Sequence, residues 1–203
     1  ILQDKVDGFI PCLSSGEGGI LSSKDWQKIT ETVCNATIKP VFVGALRNTE
    51  QDIFALIKKA NGLPCEGIVI PTLYDSEEKN LRLIERVNKL SQKSIIVYNT
   101  EKYPFRSVEI IKKIDAFSRT VAIKDSSMNM IFFKKLLTLK KQGKLDLSVF
   151  QGMEHLLASS DGCDGYILSL LNTEPKLCAT LFQKTNVHNN KKACCKTQWK
   201  NGC

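Results

Sequence analysis

No stretch of this sequence is apolar for long enough to cross a bilayer as a helix. A transmembrane or membrane-bound protein is therefore not expected. Histidine is scarce, with two in the chain, and neither His155 nor His188 stands at metal-ligand spacing from a cysteine. The eight cysteines include no C-x-x-C pair, so no zinc site or dithiol motif is read from them and no metal is expected. Cys12, Cys34, Cys65, Cys163 and Cys178 stand singly, mostly in apolar segments, as buried free thiols do. Cys194, Cys195 and Cys203 cluster near the end of the chain. Reduced thiols point to a cytoplasmic location. A G-x-G-x-x-G turn is missing too. Ser15-Gly16-Glu17-Gly18-Gly19 is glycine-rich but spaced differently from a dinucleotide fingerprint. The sequence opens without Met on Ile1-Leu2-Gln3-Asp4-Lys5, which reads like the end of a helix; no signal peptide is expected, and the expectation is that the true N-terminus lies upstream.

What is present is an ordinary globular composition, 42% hydrophobic and 25% charged. The net charge of +8 comes from lysines scattered over helical faces and crowded near Lys191, Lys192, Lys196 and Lys200. No aromatic-interleaved basic patch accompanies them, so nucleic acid is not an expected partner. Short apolar runs alternate with amphipathic stretches. Seven runs read as buried parallel strands: Val6–Cys12, Pro40–Ala45, Gly67–Pro71, Ser94–Asn99, Thr120–Asp125, Leu147–Gly152 and Gly165–Leu170. Between them the spacing predicts helices opening at Ser22/Ser23, Asn48-Thr49-Glu50, Ser76-Glu77-Glu78, Ser107 and Met128, with shorter ones near Met153–Ser159 and Glu174–Phe182.

A strand–helix series of this kind closes into a barrel or spreads into a doubly wound sheet. Short regular units, and polar residues at the C-terminal ends of several strands, favour the barrel, whose active site lies at that face. The expected fold class is α/β, a (β/α)8 TIM barrel lacking its first strand and C-terminal helices. Residues 1–183 form the barrel and residues 184–203 a polar Lys/Cys-rich tail.

Three segments carry candidate chemistry. In Val121-Ala122-Ile123-Lys124-Asp125 a lysine ends an apolar strand. By itself this fits a side chain snorkelling to solvent. It also fits a desolvated amine whose pKa falls until it can attack a ketone. Strand alternation puts Thr120, Ala122 and Lys124 on one face, with small Ala122 leaving room for the lysine stem. In Ser94-Ile95-Ile96-Val97-Tyr98-Asn99 a tyrosine ends the preceding strand. A rim aromatic is the plain reading, and a proton shuttle is the functional one. In Cys12-Leu13-Ser14-Ser15-Gly16-Glu17 two hydroxyls follow the first strand. They form either a simple strand-to-helix turn or a carboxylate binder.

In this order on successive units, these segments resemble the dihydrodipicolinate synthase/N-acetylneuraminate lyase family of Schiff-base-forming, pyruvate-dependent aldolases. The matching pieces are Ser14-Ser15-Gly16-Glu17, Tyr98-Asn99 and Ile123-Lys124-Asp125. Val43-Gly44, Ile70-Pro71 with Tyr74, and Cys163-Asp164-Gly165 add to them. The resemblance implies Lys124 as Schiff-base lysine, Tyr98 as proton shuttle and Ser14 as relay hydroxyl. It implies Ser15, Gly16, Tyr74 and Ile167 as the substrate-binding set. The implied activity is a carbon–carbon lyase acting on a 2-oxo acid, with pyruvate as donor or product. N-acetylneuraminate lyase, 2-keto-3-deoxy acid aldolase and 4-hydroxy-2-oxoglutarate aldolase are the types included. A 4-hydroxy-tetrahydrodipicolinate synthase and a non-catalytic truncated member are the alternatives. No cofactor is implied, and a homotetramer is the implied assembly. After Tyr98-Asn99 this chain departs from the family. It reads Thr100-Glu101-Lys102-Tyr103-Pro104-Phe105-Arg106 where the family has Pro and, in the synthases, a carboxylate-gripping Arg.

Overall fold

The structure, a computed structural model, describes residues 6–180. Six parallel strands form one curled sheet in sequence order: β1 (Phe42–Gly44), β2 (Gly67–Pro71), β3 (Ser94–Asn99), β4 (Thr120–Asp125), β5 (Ser148–Gln151) and β6 (Gly165–Tyr166). Helices α1 (Ser23–Ala36), α2 (Glu50–Asn61), α3 (Glu77–Leu90), α4 (Val108–Asp115) and α5 (Met130–Lys141) alternate with them. Every strand pair is parallel, and each successive strand neighbours the last. This is the wall of a (β/α)8 barrel, present in part.

Local chemistry sets most helix starts. The Ser22 hydroxyl accepts from Asp25 N at 3.1 Å and donates to the Asp25 carboxylate at 2.6 Å. Thr49 and Asp52 repeat that exchange at the head of α2, and Ser76 accepts from Lys79 N at 3.3 Å before α3. Each such cap is worth about 1 kcal/mol. Two starts differ from expectation. Ser107 makes no side-chain cap. Instead the Glu77 carboxylate accepts from Arg106 N at 2.5 Å and Ser107 N at 2.8 Å. Met128 has φ 63° and stands outside α5, whose cap is Asn129, accepting from Phe132 N at 3.0 Å.

The two end strands are shorter than their sequence patterns. Val6–Cys12 contributes one bridge, Phe9 to Val41. Its carbonyls at Phe9 and Pro11 accept from Phe42 N and Gly44 N, both at 2.9 Å. Pro11 has no N–H to return, and Cys12 turns out of the ladder at φ 58°. The expected Gly165–Leu170 strand keeps Gly165–Tyr166. Ile167 N still donates to Gln151 O at 3.0 Å. The chain then bends into a 3-10 turn at Leu170–Asn172. Likewise Met153–Ser159 is a 3-10 helix, Glu154–Ser159. The helix expected over Glu174–Phe182 is present at 175–180. The expected tail 184–203 lies outside the described residues.

The sheet separates two apolar layers. Its outer face (Val43, Ile68, Ile70, Ile95, Val97, Ile123, Val149) packs against Ile53, Leu83, Ile111, Phe133 and their helical neighbours. The inner face forms a smaller cluster of Leu13, Phe42, Val69, Ile96 and Ala122, with Tyr98, Phe150 and Ile167 against it. Gly67 is required here. A side chain on it would begin 2.2 Å from the Phe42 ring, so the ring occupies the volume the glycine leaves open.

Among the described residues no helix is long and apolar enough to cross a membrane, and the five cysteines there are unpaired.

Candidate active site

β3 and β4 start in one register and finish in another. Ile95 pairs with Thr120, but Ile96 pairs with Ala122, leaving Val121 as an extra residue in a bulge. From there Tyr98 faces Lys124 and Asn99 faces Asp125. Tyr98 and Lys124 share the inner face, and the amine stands 4.2 Å from the centroid of the phenol ring. The Tyr98 hydroxyl in turn lies 3.4 Å from the Ser14 hydroxyl, within a long hydrogen bond. Lys124, Tyr98 and Ser14 thus converge at the C-terminal mouth of the sheet.

Lys124 is 6% exposed. Burial drives its pKa from an ordinary 10.5 down to about 8, with the negative charge of Glu154 opposing the fall. About a tenth of such an amine is unprotonated at pH 7, against well under a thousandth at the ordinary value, and the neutral form is the one nucleophilic attack requires. Its stem is packed from the residue that follows β5: a side chain on Gly152 would begin 2.7 Å from Lys124 Cε and 2.1 Å from Ser126 Oγ. The Ser126 hydroxyl is buried with no hydrogen-bond partner among the described residues.

Asp125 points to the opposite face. It accepts from Asn99 Nδ2 at 2.6 Å and Ser127 Oγ at 3.2 Å. Asn99 Oδ1 accepts from Phe105 N at 2.6 Å, which fixes the loop after β3. Burial raises the Asp125 carboxyl to about 6, against the pull of the Asn99 and Ser127 hydrogen bonds. Glu154, at the head of the 3-10 helix after β5, accepts from Ser169 N at 2.9 Å, Ser169 Oγ at 2.7 Å and Leu170 N at 3.1 Å. Burial would raise its pKa, but these donors hold it below the ordinary value. They also draw the chain after Ile167 away from the ladder, which accounts for the short β6.

The remaining candidates divide. Ser15 and Gly16 lie exposed in the 3-10 turn Ser14–Gly16 that carries the relay hydroxyl. The Gly16 N–H is already engaged by Leu13 O at 3.1 Å, so among these two the Ser15 hydroxyl is the group open to a carboxylate. Ile167 lies in the inner cluster with Tyr98. Tyr74 does not join them. It packs on the outer layer, and its hydroxyl donates to Glu50 Oε1 at 2.9 Å. Arg106 is exposed, held through its backbone by Glu77.

Sequence reasoning passed over Gly152, Ser126 and Glu154. A glycine closing a strand pattern is a signal of close approach. Glu154 leaves no such sign, because its partners are distant in sequence. Among the described residues no group of three or more His, Cys, Asp or Glu is placed to hold a metal ion.

Comparison with known proteins places these features in a family. The model of the dihydrodipicolinate synthetase family matches residues 1–200. A 4-hydroxy-tetrahydrodipicolinate synthase from Methanothrix thermoacetophila is 22% identical over 178 residues, covering 84% of this chain and 60% of that protein. Thus the chain spans about three-fifths of the length of that relative. Among solved structures, YagE is a prophage protein of the dihydrodipicolinic acid synthase family from E. coli K12, crystallised with pyruvate. It superposes at a TM-score of 0.82 with 21% identity, covering 95% of this chain and 68% of its own. The sialic acid aldolase of Ruminococcus gnavus gives a TM-score of 0.80 with 18% identity, covering 95% of this chain and 66% of that one. At these identities the structural likeness is one of fold.

Proposed function

This chain belongs to the dihydrodipicolinate synthetase family, and on that premise we propose that it is a Schiff-base-dependent aldolase or lyase that makes or breaks a carbon–carbon bond of a 2-oxo acid. The observation that carries the reading is the buried Lys124 amine against the Tyr98 ring, with the Ser14 hydroxyl on the far side of the phenol.

In this reading the neutral Lys124 amine adds to the ketone carbon of the 2-oxo acid. The Tyr98 phenol, coupled to Ser14, moves protons to and from the carbinolamine oxygen. Departure of water leaves an iminium. That iminium accepts the electron pair of the carbon–carbon bond as it breaks, or supplies the enamine that forms it. The Ser15 hydroxyl takes the substrate carboxylate, and Ile167 lines the pocket beside the phenol. None of these steps calls for a cofactor. A cytoplasmic setting and a homotetrameric assembly belong to the same proposal. The unpaired thiols support the first and the family resemblance the second.

A second reading, a 4-hydroxy-tetrahydrodipicolinate synthase, is favoured by the curated relative in Methanothrix thermoacetophila. Both readings begin with the same adduct. Borohydride reduction of the chain with pyruvate should add the mass of one reduced pyruvate to the peptide carrying Lys124, and none to the Lys124→Ala protein. A wild-type chain that shows no adduct would favour a non-catalytic family member and end the proposal.

A further inference from the structure

Schiff-base chemistry changes the charge at Lys124. The amine attacks while neutral, yet the iminium that must accept the electron pair is a cation, and loss of its N–H proton leaves a neutral imine that is a poor electron sink. In a pocket where Lys124 is 6% exposed, an unpartnered cation carries a heavy desolvation penalty. Some group must offset it.

From β3 the facing titratable group is Tyr98, whose ring gives the cation a π surface at 4.2 Å. From β5 the register partner is Phe150, which is apolar. On β4, Asp125 lies on the opposite face, engaged by Asn99 and Ser127. From the segment after β5 comes Glu154, two residues past the Gly152 backbone that packs against the lysine stem. One carboxylate oxygen of Glu154 takes three donors from Ser169 and Leu170. That arrangement fixes the carboxylate in place and favours its ionised form. Its field also reaches the thiol of Cys178, whose pKa is raised chiefly by burial and further by Glu154.

We propose that Glu154 is the counter-charge of the iminium formed at Lys124, fixed in position by the Ser169–Leu170 backbone. This rests on the reading of Lys124 as the Schiff-base lysine. Glu154 takes no proton and forms no bond. Nζ bonds to the ketone carbon, and the former ketone oxygen leaves as water, carrying one proton given up by Nζ and one delivered through Tyr98. The positive charge that remains on nitrogen is balanced across space by Glu154.

A negative neighbour stabilises the ammonium and the iminium alike. On the acid side, where both are cations, removing it leaves their ratio unchanged. On the alkaline side, where the competitors are the neutral amine and the neutral imine, removing it makes the iminium give way at lower pH. The test is equilibrium trapping by borohydride with saturating pyruvate, on both sides of the Lys124 titration, for the wild-type chain and Glu154→Gln. The glutamine keeps an oxygen to accept from Ser169 and Leu170. The expected result is an unchanged acid plateau and an alkaline half-point lower by about half a pH unit or more, the order given by one carboxylate at an effective dielectric of about 20. An unmoved half-point, or a uniform loss of adduct at every pH, overturns the proposal. A second measurement needs no pyruvate: the pH dependence of Lys124 acetylation by acetic anhydride should shift downward in Glu154→Gln, and identical profiles would count against the counter-charge. Absence of an adduct in the wild-type chain, with the acetylation shift intact, would remove the lyase reading and leave the electrostatic pair standing.

Discussion

Replacing Lys124 with methionine should make the protein more stable at neutral pH, and the gain should disappear in alkali. Methionine keeps an unbranched stem of similar reach, while the amine is removed from a place where Lys124 is 6% exposed. In the folded chain burial lowers the lysine pKa from 10.5 to about 8. Below about 8 the amine is protonated in both folded and unfolded chains, and the folded state carries the whole burden of a buried cation. As pH rises from about 8 to 10.5 the folded chain loses its proton first, so the wild type gains stability across that window. Moving an amine from 10.5 to about 8 corresponds to about 3 kcal/mol. Urea unfolding of wild type and Lys124→Met at a series of pH values gives the difference directly. Other lysines, tyrosines and thiols titrate in both proteins and cancel. The expected curve has Lys124→Met ahead at pH 7, with the wild type recovering about 3 kcal/mol relative to it by strong alkali. A difference that stays flat with pH would show that the amine is hydrated, and the case for Lys124 as a nucleophile would fall with it.

Two more outcomes follow from the site. Tyr98→Phe keeps the ring over the amine and loses the phenolic proton, so pyruvate trapping should persist while turnover drops by about 10²–10⁴. Steady-state assay of the variant at wild-type rate would remove Tyr98 from proton transfer. Gly152→Ala places a methyl 2.7 Å from Lys124 Cε and 2.1 Å from Ser126 Oγ. The lysine must move, with slower adduct formation and a stability loss of about 1–3 kcal/mol by denaturant titration. Unchanged trapping kinetics would contradict the packing described for the lysine stem.

Much of the fold could be read from residue type. Runs such as Gly67–Pro71 and Ser94–Asn99 have unbroken β-branched centres, Ile68-Val69-Ile70 and Ile95-Ile96-Val97, because helices cover one face of the strand and the barrel interior the other. Ser22, Thr49 and Ser76 announce helices because their hydroxyls take the first free N–H groups. What failed depended on contacts distant in sequence. Ser107 looks like a cap, yet Glu77 from the preceding helix takes its place. The last strand looks longer than it is because Glu154 captures Ser169 and Leu170. At the site, Lys124, Tyr98 and Ser14 were legible as polar residues at the ends of apolar strands, and the structure brings them together. Tyr74 is equally polar but stands three residues past the end of β2, where Glu50 draws its hydroxyl to the outer layer. Gly152 and Glu154 act through shape and field, which single residues in a sequence do not display.

The spare residue at Val121 has a consequence for anyone recombining this chain with its relatives. Had the pairing of Ile95 with Thr120 continued without interruption, Tyr98 would sit beside Ile123, and the amine would be matched with Asn99. Phenol and amine are therefore neighbours by virtue of a half-step in the backbone, whatever their own identities. A chimera that imports the end of β4 but not its beginning would keep every reactive side chain and still separate them, so the segment from Thr120 to Asp125 has to travel as a unit with the strand it was aligned against.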